Sequence, residues 1–174
     1  MDRAAAPAGV ARVLITSDGR YVEGNALAHD LLGVTCETLR THVVGDFTLP
    51  ELREPSRASW QHMAQSGTTA YLIDETILVR PDGTAQVVRV LPVRPGDEPG
   101  TWWSQFEPIP GPRGRVLSLA KPQQVLAAWR AAERRAADLE PGSPERQLAD
   151  RTVEGLGSLY RVATDLRLKA TADA

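Results

Sequence analysis

The chain has 174 residues, of which 42% are hydrophobic and 24% charged, with a formal net charge of -2 at pH 7. This composition is typical of a folded globular protein and excludes a disordered or collagen-like chain. The single cysteine, Cys36, excludes an intramolecular disulfide. Since no apolar run approaches the roughly 20 residues that cross a bilayer, and the first residues lack a signal-peptide core, we expect a cytoplasmic protein without a membrane partner.

A β-hairpin and a capped helix are predicted near the N-terminus, after a flexible lead-in at residues 1–9. Asp18-Gly19 separates two β-rich arms, and glycine accepts the positive φ that a tight hairpin turn requires. Asn25 is suited to cap the helix that follows, and Gly33 is suited to end it in a left-handed conformation. The first element is therefore a hairpin that leads into an amphipathic helix.

Short helices and then long strands are predicted over the next part of the chain. A longer helix at 55–66 carries Trp60 and Met63 on one face. From residue 69 to 109 the apolar residues recur at every second position, which predicts three strands in an antiparallel meander. Residues 10–110 are thus expected to form an α+β domain, a five-stranded antiparallel sheet with helices on one face.

A C-terminal α-helical hairpin is predicted at residues 122–169, after a linker at 111–121 and before a disordered end at 170–174. Two amphipathic helices that pack on each other leave one apolar side uncovered. We therefore expect this tail to contact a second copy or a protein partner in trans. The candidate interface residues are Trp129, Leu139, Leu156 and Tyr160.

An ordered set of turn, cap and aromatic residues runs along residues 10–110. In chain order its members are Asp18-Gly19, Asn25-Ala26, Leu31-Leu32-Gly33, Trp60 followed by Gly67, Asp82-Gly83, Trp102-Trp103 and Pro108-Ile109. This set resembles the PAS domain. The resemblance implies a module that senses a small molecule, binds a cofactor such as haem or flavin, or mediates dimerisation, with a cavity between sheet and helices.

We accordingly expect a bacterial-type regulator: a non-catalytic PAS-like module for sensing and signal transduction. It would bind a small-molecule ligand or a protein partner and form a homodimer, with the helical tail as output or docking element. Because adjacent strand residues point to opposite faces, one of Trp102 and Trp103 lines the interior and the other needs a cover from a dimer partner or the tail. The pocket candidates are Leu27, Leu31, Trp60, Met63, Trp102 and Trp103.

Two alternatives remain open. One is a haem- or flavin-binding PAS sensor, in which the resemblance implies His62 as the cofactor-binding residue, since haem PAS proteins commonly take their iron ligand from the helix before the meander. An exposed histidine beside a buried Trp60 is the simpler interpretation. The other is a PAS-like transcription regulator that contacts DNA through the helical tail.

Neither nucleic-acid binding nor catalysis is expected. Residues 111–174 carry 11 basic and 8 acidic side chains, and the arginines of the second tail helix are interspersed with acids. The chain has no Gly-x-Ser-x-Gly frame, no glycine-rich phosphate loop and no carboxylate pair suited to acid-base chemistry. The histidine spacings do not match a metal site either.

Overall fold

A computed structural model of the chain describes residues 9–66, 73–94, 100–111 and 114–172. The strands are β1 (Ala11–Thr16), β2 (Tyr21–Gly24), β3 (Ile73–Val79), β4 (Thr84–Val93), β5 (Thr101–Pro108) and β6 (Leu117–Ser118). The helices are α1 (Ala26–Leu32), α2 (Cys36–Leu39), α3 (Arg53–Gln65), α4 (Pro122–Ala137) and α5 (Pro144–Ala172), with a 3-10 turn at Pro50–Leu52. The start of the third predicted strand, the N-terminal lead-in up to residue 8 and residues 173–174 lie outside the described residues.

The sheet has the strand order β2-β1-β5-β4-β3, and β6 pairs with β4. The predicted α+β fold, a five-stranded antiparallel sheet with helices and a C-terminal helical hairpin, is confirmed. Strand β6 is an addition that lies within the predicted linker. Its Leu117 and the following Leu119 are buried, and the Leu119 amide donates to the Gly83 carbonyl at 3.0 Å. A two-residue strand is too short to produce a recognisable alternation in the sequence.

The chain divides into two compact units. The first contains residues 1–73 and 90–107, and the second contains residues 74–89 and 108–174. This division differs from the predicted one, which placed the boundary at residues 111–121. Strand β4 contributes residues to both units, because its first part belongs to the second unit and its last part to the first.

In the first unit, Asn25 joins β1 to α1. Its side-chain oxygen accepts from the Ala28 amide at 2.9 Å and from the Arg12 amide at 3.0 Å, and its side-chain nitrogen donates to the Val10 carbonyl at 2.8 Å. Helix α1 ends at Gly33, which has φ 69° and donates its amide to the His29 carbonyl at 2.8 Å. The predicted cap at each end of α1 is therefore present, and Asn25 also fixes where the helix leaves the sheet.

The Asp18-Gly19 turn packs against α3. Gly19 has φ 89°, and a Cβ placed there would lie 3.5 Å from Cδ1 of Trp60. The Trp60 indole Nε1 donates to the Thr16 carbonyl at 3.1 Å. The Thr16 hydroxyl donates to Asp18, and this hydrogen bond, with a smaller contribution from Arg20, lowers the pKa of the Asp18 carboxyl. The hairpin turn is thus fixed by both local bonds and a long-range tryptophan contact.

Gly45 occupies a position that a side chain cannot fill. It has φ 97°, and a Cβ there would lie 2.7 Å from the Arg53 carbonyl oxygen. We expect Gly45→Ala to lower the free energy of unfolding by about 3 kcal/mol, because backbone strain and a backbone clash add. Gly142→Ala is the matched control, since Gly142 has φ 84° but no atom within 4 Å of a Cβ. It should cost only about 1 kcal/mol in urea unfolding, and equal losses in the two variants would contradict the clash.

In the second unit, α4 and α5 form the predicted antiparallel hairpin. The Ser143 hydroxyl accepts from the Arg146 amide at 3.1 Å, as a helix cap does. Gly157 of α5 lies against Trp129 of α4, where a Cβ would meet the indole at 3.3 Å. Helix α5 continues through Ala172, so the predicted disorder from residue 170 is wrong for residues 170–172.

Helix α5 also packs on strand β3. A Cβ at Gly155 would lie 2.8 Å from Cδ1 of Ile77. The buried Thr152 hydroxyl donates to Oε2 of Glu75 at 2.6 Å. Part of the apolar side of the hairpin is therefore covered within the chain, by β3. Residues 122–169 accordingly belong to the same compact unit as residues 74–89, which include most of β3.

The Thr152 contact can be tested by removing one hydroxyl. We expect Thr152→Val to lower the free energy of unfolding by about 1–3 kcal/mol, because Glu75 loses a charge-assisted donor in a partly buried site. Thr152→Ser keeps the hydroxyl and should lose less. Among the described residues, the Thr164 hydroxyl donates to the Tyr160 carbonyl of its own helix, so Thr164→Val is the control with little effect. Equal urea midpoints for the two valine variants would argue against the α5–β3 bond.

Candidate functional site

The interior face of the first unit is built by alternate residues of two paired strands. On β5 these residues are Trp102, Ser104 and Phe106, and all three are buried. Their partners across the antiparallel pair are Ile15, Val13 and Ala11 of β1, which are buried as well. Because strand residues alternate between faces, these six side chains lie on one side of the sheet. This face is apolar except for Ser104 and the indole nitrogen of Trp102.

Helix α3 contributes Trp60 and Met63 to the same interior. Both are buried, and the rings of Trp60 and Trp102 are 6.1 Å apart at 70°, an edge-to-face contact. Such aromatic pairs contribute about 0.5–1.5 kcal/mol beyond the area that they bury. The Trp60 indole has its hydrogen-bond partner in Thr16, whereas Trp102 Nε1 is buried without one among the described residues.

Arg94, at the end of β4, completes this cluster. Its guanidinium carbon lies 4.7 Å from the centre of the Trp102 ring, and Nη2 donates to the Ala64 carbonyl of α3 at 3.0 Å. The Nε atom is buried and has no hydrogen-bond partner within the described part of the chain. The arrangement combines a cation, an indole N–H and an apolar wall, which can recognise an anionic group attached to an apolar body.

The opposite face of the sheet carries Trp103. The Arg12 guanidinium lies 4.7 Å from the centre of this ring, and Trp103 is half-buried. The structure thus settles which tryptophan faces inward, because Trp102 is 0% exposed on the interior side. The cover that Trp103 needs is supplied in part by Arg12 rather than by a partner alone.

The six pocket candidates do not all lie in this interior. Leu31, Trp60, Met63 and Trp102 are buried in the first unit. Leu27 is 43% exposed and Trp103 lies on the other face, so neither belongs to this interior face. Leu27 lies in the first turn of α1, where an apolar residue can fall outside the buried stripe. Sequence reasoning missed Arg94 and Ser104; a lone arginine directly after an apolar strand was the available signal.

His62 does not reach the interior. It lies in the last turn of α3 and is exposed, while Trp60 and Met63 on the same helix are buried. A haem placed in the interior would therefore find no iron ligand at this position. Within residues 9–66, 73–94, 100–111 and 114–172 there is also no group of three or more His, Cys, Asp or Glu residues that could hold a metal ion.

The interface candidates of the hairpin divide into two kinds. Leu156 is 0% exposed, so it belongs to the core of the second unit and its predicted role at an interface is wrong. Trp129, Leu139 and Tyr160 are half-buried, and the rings of Trp129 and Tyr160 lie 5.8 Å apart. Trp129 Nε1 is buried without a hydrogen-bond partner among the described residues.

The charges of the hairpin are partly engaged within it. Arg146 forms an ion pair with Asp150 at 2.8 Å and donates to the Ala136 carbonyl at 2.6 Å. Arg161 donates to the Ser158 hydroxyl at 2.8 Å. Neither arginine projects unengaged toward solvent, as a side chain that follows a nucleic-acid backbone does.

Two shifted pKa values have structural causes. Burial raises the pKa of Tyr21, and the Asp46 carboxylate adds to the shift. In the turn between β3 and β4, hydrogen bonds from the Thr84 hydroxyl and amide lower the pKa of Asp82. Packing and turn geometry account for both shifts, so neither indicates a general acid or base.

Comparison with protein families identifies the fold. A family model described as the PAS fold matches residues 4–120, more than half of the 174 residues. The chain therefore belongs to the PAS-fold family, and the predicted resemblance is confirmed. As a PAS domain it is a sensory signalling module, of a class that is generally non-catalytic. A comparison with curated proteins gives no match.

Three solved structures illustrate the likeness. A domain of a sensory box sensor histidine kinase/response regulator from Geobacter sulfurreducens is 16% identical over 57% of this chain and 83% of that chain, with a TM-score of 0.49. The RpfR quorum-sensing receptor PAS domain from Cronobacter turicensis, in complex with BDSF, is 16% identical over 58% and 94%, with a TM-score of 0.48. The photoactive yellow protein domain of the sensor histidine kinase Ppr from Rhodospirillum centenum is 14% identical over 57% and 85%, with a TM-score of 0.46.

In the part of the chain that the structure describes, no helix is both long enough and apolar enough to span a membrane.

Proposed function

We propose that this protein is a non-catalytic PAS sensor that binds a small ligand in the interior of its first unit and associates as a homodimer. The α4–α5 hairpin is its output or docking element. The protein would exist with the hairpin in two arrangements, and the ligand would bind the protein more tightly in one arrangement than in the other. Ligand binding would then shift the populations of the two arrangements, and this shift would be the signal. Family membership supports the sensory role, and one feature of α5 carries the proposal of self-association.

That feature is an apolar stripe along α5. Its members recur at alternating intervals of three and four residues, the spacing of a coiled-coil seam. They are Ala149, Thr152, Leu156, Leu159, Ala163, Leu166 and Ala170. The stripe is buried as far as Ala163 and becomes exposed at Leu166, which is 49% exposed.

The exposure begins where α4 no longer accompanies α5. Helix α4 has 16 residues and α5 has 29, so the two antiparallel helices cannot cover each other throughout. Residues 165–172 of α5 are all exposed. The exposed end of this stripe on a second copy is its natural complement, because a two-fold axis places identical surfaces against each other.

Self-association can be tested by charging the stripe. Sedimentation equilibrium of the full chain should show a dimer, which Leu166→Arg dissociates. Leu168, which is 63% exposed, lies on the same stretch of helix but off the stripe, so Leu168→Arg is the matched control and should remain dimeric. A monomeric wild type, or equal dissociation in both variants, would count against the proposal.

Ligand binding calls for a separate measurement. Native mass spectrometry of the purified full chain reports the oligomeric state and any retained small molecule in one spectrum. We expect a dimer with an additional bound mass. A monomer without added mass, which also gains none from a metabolite extract, would contradict the sensor proposal.

A further inference from the structure

The Trp60–Trp102 pair contains one indole with a hydrogen-bond partner and one without. Trp60 Nε1 donates to the Thr16 carbonyl, but Trp102 Nε1 is enclosed and finds no acceptor among the described residues. Leaving a buried donor unpaired is unfavourable, because the donor loses its hydrogen bond to water, so most buried donors in native proteins are paired. A hydrogen-bond acceptor supplied by a bound molecule would remove this cost.

Arg94 presents a second unpaired donor beside the first. Its guanidinium lies over the Trp102 ring, and its buried Nε has no partner within the described part of the chain. No carboxylate of the described residues forms an ion pair with Arg94. A half-buried cation is costly unless an anion neutralises it. The occupant of this position should therefore carry negative charge as well as an acceptor atom.

The side chains around Trp102 and Arg94 indicate what the rest of the bound molecule is like. Ser104, one pleat along β5 from Trp102 on the same face, also has a buried hydroxyl without a partner. The other side chains of this face, and the two buried side chains of α3, Trp60 and Met63, are apolar, so the polar groups in this interior are few. A carboxylate has two acceptor oxygens and one charge, which suits two N–H donors of which one is cationic.

We propose that the interior of the first unit binds a small carboxylic acid with an apolar body, its carboxylate held by Arg94 Nε and Trp102 Nε1. This inference rests on the proposed function and names its ligand class. Recognition combines a charge-assisted pair at Arg94 with the indole N–H of Trp102, and the apolar part of the acid lies along Trp60 and Met63.

Matched pairs of probes separate the carboxylate from the apolar body. Calorimetric titration of the full chain would compare decanoate with decanol, and indole-3-acetate with indole-3-ethanol. At least one acid should bind about 10- to 100-fold more tightly than its neutral alcohol, the effect expected for charge-assisted hydrogen bonds. Arg94→Gln should remove this preference, because it weakens binding of the acid far more than binding of the alcohol, whereas Arg94→Lys should restore it only in part.

A second variant keeps the test independent of how Arg94→Gln folds. Trp102→Phe keeps an aromatic ring but lacks the N–H, and should weaken acid binding about 5-fold. In proton–nitrogen spectra of wild type, the indole resonance that is missing from Trp102→Phe should move downfield with the acid and not with the alcohol.

The outcomes distinguish this inference from the proposed function. Equal binding of acid and alcohol, or wild-type acid affinity in Arg94→Gln, would overturn the carboxylate assignment and leave a ligand-binding sensor in place. Failure of every acid to bind would overturn it as well. A sensor that retains a neutral molecule in native mass spectrometry would then still satisfy the proposed function.

Discussion

Trp102→Ala is expected to be the most damaging substitution in the first unit, with a loss of about 3–5 kcal/mol in the free energy of unfolding. Trp102 is 0% exposed, meets the Trp60 ring edge-to-face and supports the Arg94 guanidinium. Its removal leaves a large cavity and deprives Arg94 of its stacking surface. Urea denaturation followed by circular dichroism measures the loss without relying on tryptophan fluorescence.

The neighbouring tryptophan is the control for this prediction. Trp103 has the same side chain on the same strand but is only half-buried, under Arg12 on the other face. We expect Trp103→Ala to cost about 1–2 kcal/mol, mainly through lost apolar area and the cation–π contact. If Trp103→Ala destabilised the protein as much as Trp102→Ala, the assignment of Trp102 to the interior would be wrong.

Leu156→Ala should have the largest effect in the second unit, about 2–5 kcal/mol. The side chain is 0% exposed on α5, one turn beyond the Thr152 contact to Glu75. A core residue of this kind affects folding whether or not the protein associates. Thermal or urea unfolding at several protein concentrations should therefore show the same loss at each concentration.

An exposed leucine on the same helix provides the comparison for Leu156. Leu168 is 63% exposed, and Leu168→Ala should change the free energy of unfolding by no more than about 0.5 kcal/mol. A small loss in Leu156→Ala that grew with dilution would instead place Leu156 at an interface between copies.

Local signals in the sequence were sufficient for much of the fold. The Asp18-Gly19 turn, the Asn25 cap and the Gly33 end of α1 each depend on a backbone conformation that one or two residues determine. The change from helical to alternating spacing likewise located the meander. These features are set by neighbours in the chain, so a single sequence contains them.

Contacts between distant segments were not accessible in the same way. Alternation shows that Trp102 and Trp103 face opposite sides, but only the pairing of Ile15 with Trp102 assigns the inner side. The apolar stripe of α5 was visible, but nothing in its own sequence reveals that Ile77 covers part of it. Leu156 was consequently assigned to an interface when it lies in the core.

The candidate site was predictable in its aromatic part and not in its polar part. Trp60 and Met63 stand at helical spacing, which indicates a buried face. Arg94 follows a strand and precedes a polar loop, a position where a solvated arginine is ordinary. Its stacking on Trp102 depends on where β4 ends relative to β5, which is a tertiary property.

The division of strand β4 between the two units affects how this protein can be cut and joined to others. Neither unit is a continuous stretch of sequence, since residues 90–107 of the first interrupt the second. A graft that transferred only residues 108–174 would leave Glu75 and Ile77 behind and strip α5 of its strand contacts. A fusion protein that keeps all contacts of the hairpin must therefore begin before β3. Such a fusion includes part of the sensor sheet together with the two helices.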